Sequence, residues 1–201
     1  MVSGEYTLFK LKRHQMKNTF LFVSLICLLL STTTGCYAHG PWRGKVIDAE
    51  TKQPIEGAAV VAVWEKNLRG PAGMDTRFLD ARETLTDKEG KFEIPSFRAL
   101  DIFFVREITG PKFTIFKPGY GSYPSYVANA KDFKTSYETI FEAKEDIIEL
   151  PVFRTKEDRL KAVNEAVPFS DVPRYKVKKL MTLINSEMVY LGLPPYKEHE
   201  D

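Results

Sequence analysis

Residues 44–60 read GKVIDAETKQPIEGAAV, and this stretch decides the fold. It begins inside a short β-prone run, residues 42–48 (WRGKVID). Residues 49–57 (AETKQPIEG) are turn chemistry, punctuated by Pro54 and Gly57. Residues 58–64 (AAVVAVW) then turn apolar on both parities. Ala58, Val60, Ala62 and Trp64 would line one face, and Ala59, Val61 and Val63 the other. A short run of this kind predicts a strand covered on both sides.

Working outward, residues 65–80 are polar and carry Gly70-Pro71-Ala72-Gly73 at their centre, which predicts a long loop. Residues 82–86 and 91–94 flank Asp87-Lys88-Glu89-Gly90 and predict a hairpin, with glycine where φ must be positive. Residues 102–106 and 112–117 are two further strands joined through Gly110-Pro111. Residues 147–153 (IIELPVF) read as the last strand, and Pro151 places it at an edge or marks its end. Many short strands with turn signals between them predict an antiparallel sandwich.

The tail changes period. Thr155 followed by Lys156, Glu157 and Asp158 is a helix start with an N-cap and acids in the first turn. Leu160, Val163 and Val167 recur at helical spacing. Ser170-Asp171-Val172-Pro173 predicts the start of a second helix. Its stripe is Val177, Leu180, Met181, Ile184, Met188 and Leu191, and Gly192 ends it before Pro194-Pro195. The expectation is that this stripe packs on its own domain.

At the other end, residues 16–36 (MKNTFLFVSLICLLLSTTTGC) have the form of an export signal. Lys10, Lys12, Arg13 and Lys17 precede an apolar run over residues 20–30, and Gly35-Cys36 follows. The run has the length of a signal-peptide core rather than of a permanent span. Residues 1–35 are therefore read as a lipoprotein signal peptide and 36–41 as anchor and linker. Cys36, the sole cysteine once Cys27 leaves, would be lipidated, and several acyl chains give stable anchoring. Cleavage after Ala38 would instead yield a soluble exported chain beginning at His39, and Met16 is an alternative start.

Without the first 35 residues, which hold four Lys/Arg and the acid Glu5, 25 of the 29 basic and 26 of the 27 acidic residues remain. That near-neutral balance gives no electrostatic case for nucleic acid. No later segment reaches 18 consecutive apolar residues, so no span is expected after the leader.

Three segments carry a family resemblance. Gly44, Val46, Asp48, Thr51, Pro54, Ile55, Gly57, Ala58 and Val60 match the pattern G-x-V-x-D-x-x-T-x-x-P-I-x-G-A-x-V. Thr86, Asp87, Gly90 and Phe92 match T-D-x-x-G-x-F, and Lys117-Pro118-Gly119-Tyr120 is similar to a K-x-G-Y element. In this order they resemble carboxypeptidase regulatory-like domains. The resemblance implies a mainly β, seven-stranded Greek-key β-sandwich, transthyretin-like, over residues 42–153. A helical C-terminal pair over 154–201 would follow it. It also implies a non-catalytic module for structure, docking or binding. In it, Asp48 and Thr51 would bond backbone in the first turn, and Val46, Val60, Phe92 and Ile94 would supply core.

Chemistry-bearing patterns are sparse. His39 and His199 sit in no metal-ligand spacing, and no cysteine pair exists for zinc, so neither metal nor cofactor is assigned. Ser170 with Asp171 reads as a helix cap, and the neighbours Glu145 and Asp146 would point to opposite faces of a strand. No catalytic residue is assigned. Phe113, Phe116, Tyr120, Tyr123, Tyr126, Phe133, Tyr137 and Phe141 form an aromatic run. Tyr120, Tyr123 and Tyr126, exposed together, would make a platform for sugar rings or a protein partner. The expectation is a non-enzymatic, lipid-anchored envelope protein, exported and facing the periplasm from the outer membrane. Its partners would be the membrane, through the anchor, and an envelope protein or polysaccharide. The alternative is a carbohydrate-binding module using the tyrosine-rich region 120–137.

Overall fold

The computed structural model describes residues 35–70, 73–101, 106–126, 146–167 and 171–196. The apolar leader core, Pro71-Ala72, the aromatics Phe133, Tyr137 and Phe141, Glu145, Ser170 and His199 lie outside the described residues. Two compact units divide the chain. Of the smaller (Met1–Tyr37 and Arg98–Phe104), residues 35–37 and 98–101 are described. They belong to strands β1 (Gly35–His39) and β6 (Phe97–Asp101), which pair as a two-stranded sheet.

The larger unit is a mainly β domain of six strands in two sheets, followed by two helices. The first sheet orders β5 (Lys91–Ile94), β2 (Trp42–Asp48) and β8 (Asp146–Leu150), with β2 central. The second orders β4 (Gly73–Leu85), β3 (Ala59–Gly70) and β7 (Arg106–Phe116), with β3 central. Helix α1 spans Lys156–Ala166 and α2 spans Lys178–Leu191. Six strands, rather than the expected seven, form these two sheets among the described residues.

The two-sided apolar pattern of residues 58–64 is realised in β3. Val60, Ala62 and Trp64 are at most 1% exposed, as are Ala59 and Val61 on the opposite parity. Trp64 meets Trp42 of the other sheet at 5.3 Å between ring centroids, and Trp42 meets Phe113 edge-on at 6.3 Å. The ring of Phe97 stacks on Trp64 at 4.6 Å, with the Arg82 guanidinium over both. The same Arg82 donates to the carbonyls of Pro95 and Ser96. The other face of β3 is covered by the helices. Ala59, Val61 and Phe116 share one apolar cluster with Ala162, Val163, Leu180 and Ile184.

Burying one large aliphatic side chain contributes about 1.5–3 kcal/mol, against about 1 kcal/mol for a hydrogen bond. Apolar burial therefore holds the helices down, and polar contacts fix where they sit. Thr155 caps α1 by accepting from Asp158 N at 3.1 Å, as its sequence predicts. Helix α2 differs from expectation. It begins at Lys178, after a 3-10 turn at Arg174–Lys176, and Val177 offers no side-chain cap. Glu83 of β4 takes that part, accepting from Lys179 N at 2.9 Å and Leu180 N at 3.2 Å. Asp171, read as part of the helix start, accepts from Phe78 N of β4 at 3.2 Å. Gly192 closes α2 in the left-handed conformation, as expected.

Four strand expectations are corrected. Residues 65–70 and 73–80 are strand rather than loop, because β3 and β4 continue as a ribbon to Gly70 and from Gly73. Polar cross-strand pairs sustain it, such as Thr76 donating to Asn67 at 2.9 Å, and β3 also pairs with β7 as far as Leu68. The turn at 87–90 exists, with Asp87 accepting from Glu89 N and Lys91 N. It joins the two sheets rather than a hairpin, since β4 pairs with β3 and β5 with β2. Residues 106–116 are one strand through Gly110-Pro111, where the ladder slips opposite Trp64, while 102–105 of the expected first strand lie outside the described residues. The sandwich is not wholly antiparallel either, since β8 runs parallel to β2, with Val46 opposite Ile148. Pro151 does lie just past this edge strand.

Candidate functional site

The three sequence signatures converge on one corner of the larger unit. Asp48, at the end of β2 and 6% exposed, accepts from Glu50 N at 2.7 Å and Thr51 N at 2.9 Å through Oδ1. Its Oδ2 accepts from the Tyr120 hydroxyl at 3.2 Å. Thr86 Oγ1, in the second signature, donates to Ile55 O at 2.6 Å and accepts from Ala58 N at 2.8 Å. Lys117 Nζ, in the third, donates to Glu56 O at 2.6 Å. The second and third signatures are thus both bonded to the first. Two glycines are required by the same packing. A Cβ on Gly44 would sit 2.7 Å from the Phe92 ring, and one on Gly90 (φ +74°) would sit 2.4 Å from Val46 O.

The electrostatics follow from this geometry. The backbone N–H of Thr51 holds the Asp48 carboxyl below its ordinary value, with Glu50 N–H and the Tyr120 hydroxyl acting in the same direction against burial. Burial, with the Asp48 charge, pushes the Tyr120 phenol up. Beside them Arg154 forks onto Glu50 at 2.8 and 2.6 Å, and its hydrogen bond lowers the Glu50 carboxyl. Further along, Arg159 of α1 forks onto Glu187 of α2, whose side chain is 2% exposed. The Tyr190 ring covers the Arg159 guanidinium at 3.8 Å.

These contacts brace the corner. An aspartate saturated by two amides and a phenol has little basicity to offer. Among the described residues, no group of three or more His, Cys, Asp or Glu is placed to hold a metal ion.

The three tyrosines do not stand together as exposed rings. Tyr123 is 6% exposed and bridges to Ile115. Tyr120 is half-buried with its hydroxyl on Asp48, and Tyr126 packs edge-on against Phe153 at 5.3 Å. Each ring is thus used by the scaffold. Residues 127–137 of the same region lie outside the described residues. Cys36 lies on β1.

Sequence reasoning missed a cavity of about 480 Å³ between the helix-facing side of the second sheet and the two helices. Val61, Val63, Val167, Val172 and Leu180 supply its aliphatic lining. Glu65 and Lys112, paired at 2.6 Å, form one polar wall. Ser125 and Glu165, bonded at 2.9 Å, form another. The alternation Val61, Val63, Glu65 along β3 marks one face of a strand, but only the packed helices turn that face into a pocket.

No protein-family model, no curated protein and no solved structure matches the chain. The described helices include none long and apolar enough to cross a membrane.

Proposed function

We propose that this chain is a non-enzymatic, lipid-anchored envelope protein whose β domain is a structural or interaction module of the carboxypeptidase regulatory-like, transthyretin-like kind. One observation carries the reading of the module. Polar side chains from all three signatures, Asp48, Thr51, Thr86, Asp87, Lys117 and Tyr120, bond within the scaffold. Residues used in this way hold a frame together, and recognition falls to the surfaces and the pocket that the frame carries. Two sheets facing across the Trp42–Trp64 contact support the sandwich assignment.

The anchor rests on residues 16–36, whose apolar core ends in Gly35-Cys36. Export, Cys36 acylation and an outer-membrane position facing the periplasm belong to this reading. Envelope fractionation of the wild type and of Cys36→Ser tests it. The wild type should sediment with outer membranes and the variant should leave them. Equal partitioning of the two would refute the anchor.

A further inference from the structure

We infer that the cavity between the second sheet and the helices binds a small apolar molecule bearing a cationic amine. The inference rests on the reading of this domain as a binding module, and does not depend on the anchor. A volume of about 480 Å³ lies within the range of small-molecule sites, which run to about 300–1,000 Å³. The lining also has the composition of such sites, an apolar floor with a few convergent polar groups.

The floor selects the body of the ligand. Val61 and Val63 rise from β3, Val172 and Leu180 close over them, and Val167 ends α1. None of these side chains can hydrogen-bond, so an apolar group covers this floor without loss, and Thr114 and Asn164 add polar atoms elsewhere in the lining.

The polar walls select the head. Among the described residues they carry two carboxylates, Glu65 and Glu165, and one ammonium, Lys112. The Glu65 side chain is 13% exposed and gives Oε2 to Lys112. Among the described residues no donor reaches its Oε1. Glu165 receives one hydrogen bond, from Ser125, and faces solvent. Among the described lining residues one unit of negative charge is left over beside an apolar floor. That surplus draws a cation and opposes an anion, and it acts more strongly beside low-dielectric walls than in open water. A primary ammonium, with three donors, can bond to a carboxylate on either wall.

Saturation-transfer NMR and thermal shift on the purified full chain, against matched detergent blanks, test this with three probes of one shape. Phenethylamine is the cation, phenethyl alcohol the neutral form and phenylacetate the anion. The amine should bind at least about tenfold more tightly than the carboxylate, with the alcohol between them. Glu165→Gln, on the exposed face of α1, should weaken the amine about three- to tenfold and leave the alcohol unchanged. Val63→Phe should exclude all three, with circular dichroism confirming that the chain is folded. Where Val63→Phe fails to fold, Glu165→Gln carries the test. Binding by none of the probes, equal binding of amine and carboxylate, or an unchanged amine affinity in Glu165→Gln would overturn the inference. Each of these results leaves the fractionation of Cys36→Ser untouched.

Discussion

The Tyr120 hydroxyl donates to Asp48 Oδ2 at 3.2 Å and so ties the segment after β7 to the end of β2 across 72 residues of chain. The same carboxylate holds its own turn through Glu50 N and Thr51 N. One buried side chain therefore closes a local turn and a long-range contact together. Tyr120→Phe removes only the second of these. It should cost about 1–2 kcal/mol, the loss of a hydrogen bond to a charged acceptor. Urea unfolding that leaves the Tyr120→Phe midpoint at the wild-type value would contradict the brace.

That brace should respond to pH in both directions. The Asp48 carboxyl is depressed from its ordinary value of 3.8, so its stabilisation is complete above that value. It is lost as pH falls through the lower folded value. The Tyr120 phenol is raised from 10.0, so its share is complete below that value and is lost as pH rises beyond it. Tyr120→Phe should therefore show a flatter stability profile above pH 10.0, and Asp48→Asn a flatter one below pH 3.8. Thermal melts across both limbs decide the matter, and slopes identical to wild type would exclude it.

Thr86 is a sharper probe of the second signature. It is 3% exposed, and its hydroxyl satisfies Ile55 O and Ala58 N together. Thr86→Val keeps the shape and orphans both backbone groups. A buried unsatisfied group costs about 1–3 kcal/mol, so the variant should lose at least about 2 kcal/mol. Thr86→Ser, which keeps the hydroxyl, should recover most of it. Chemical denaturation of the pair gives the comparison, and a valine variant as stable as the serine variant would rule out the hydroxyl's role.

Between the helices, Glu187 is enclosed with Arg159 as its ion partner. Arg159→Ala leaves a buried carboxylate unpaired and should cost about 2–4 kcal/mol. Replacing both by apolar residues, Arg159→Met with Glu187→Leu, should restore much of the loss, since desolvation of the charges is then avoided. A double-mutant cycle reads the coupling. Additive single losses would show that the pair does not act as one unit.

Local chemistry was legible in the sequence and distant chemistry was not. The Thr155 cap, the positive φ of Gly90 and the two-sided apolar β3 each depend on residues a few positions apart. The start of α2 depends on Glu83, some 96 residues before Lys179, so Asp171 and Pro173 misled as local signals. The β3–β4 ribbon hid because Asn67 and Thr76 are polar, and their pairing takes the place of an apolar face. Parallel pairing of β8 with β2 leaves no mark within either strand. The pocket was invisible for a related reason. Its lining comes from β3, β7 and both helices, and no single element shows a cavity.

The intact mass of the protein extracted from envelope membranes tests the proposed function most directly. The account predicts a chain beginning at Cys36 and carrying added acyl mass. An unmodified chain beginning at His39, recovered from the soluble fraction, would contradict it.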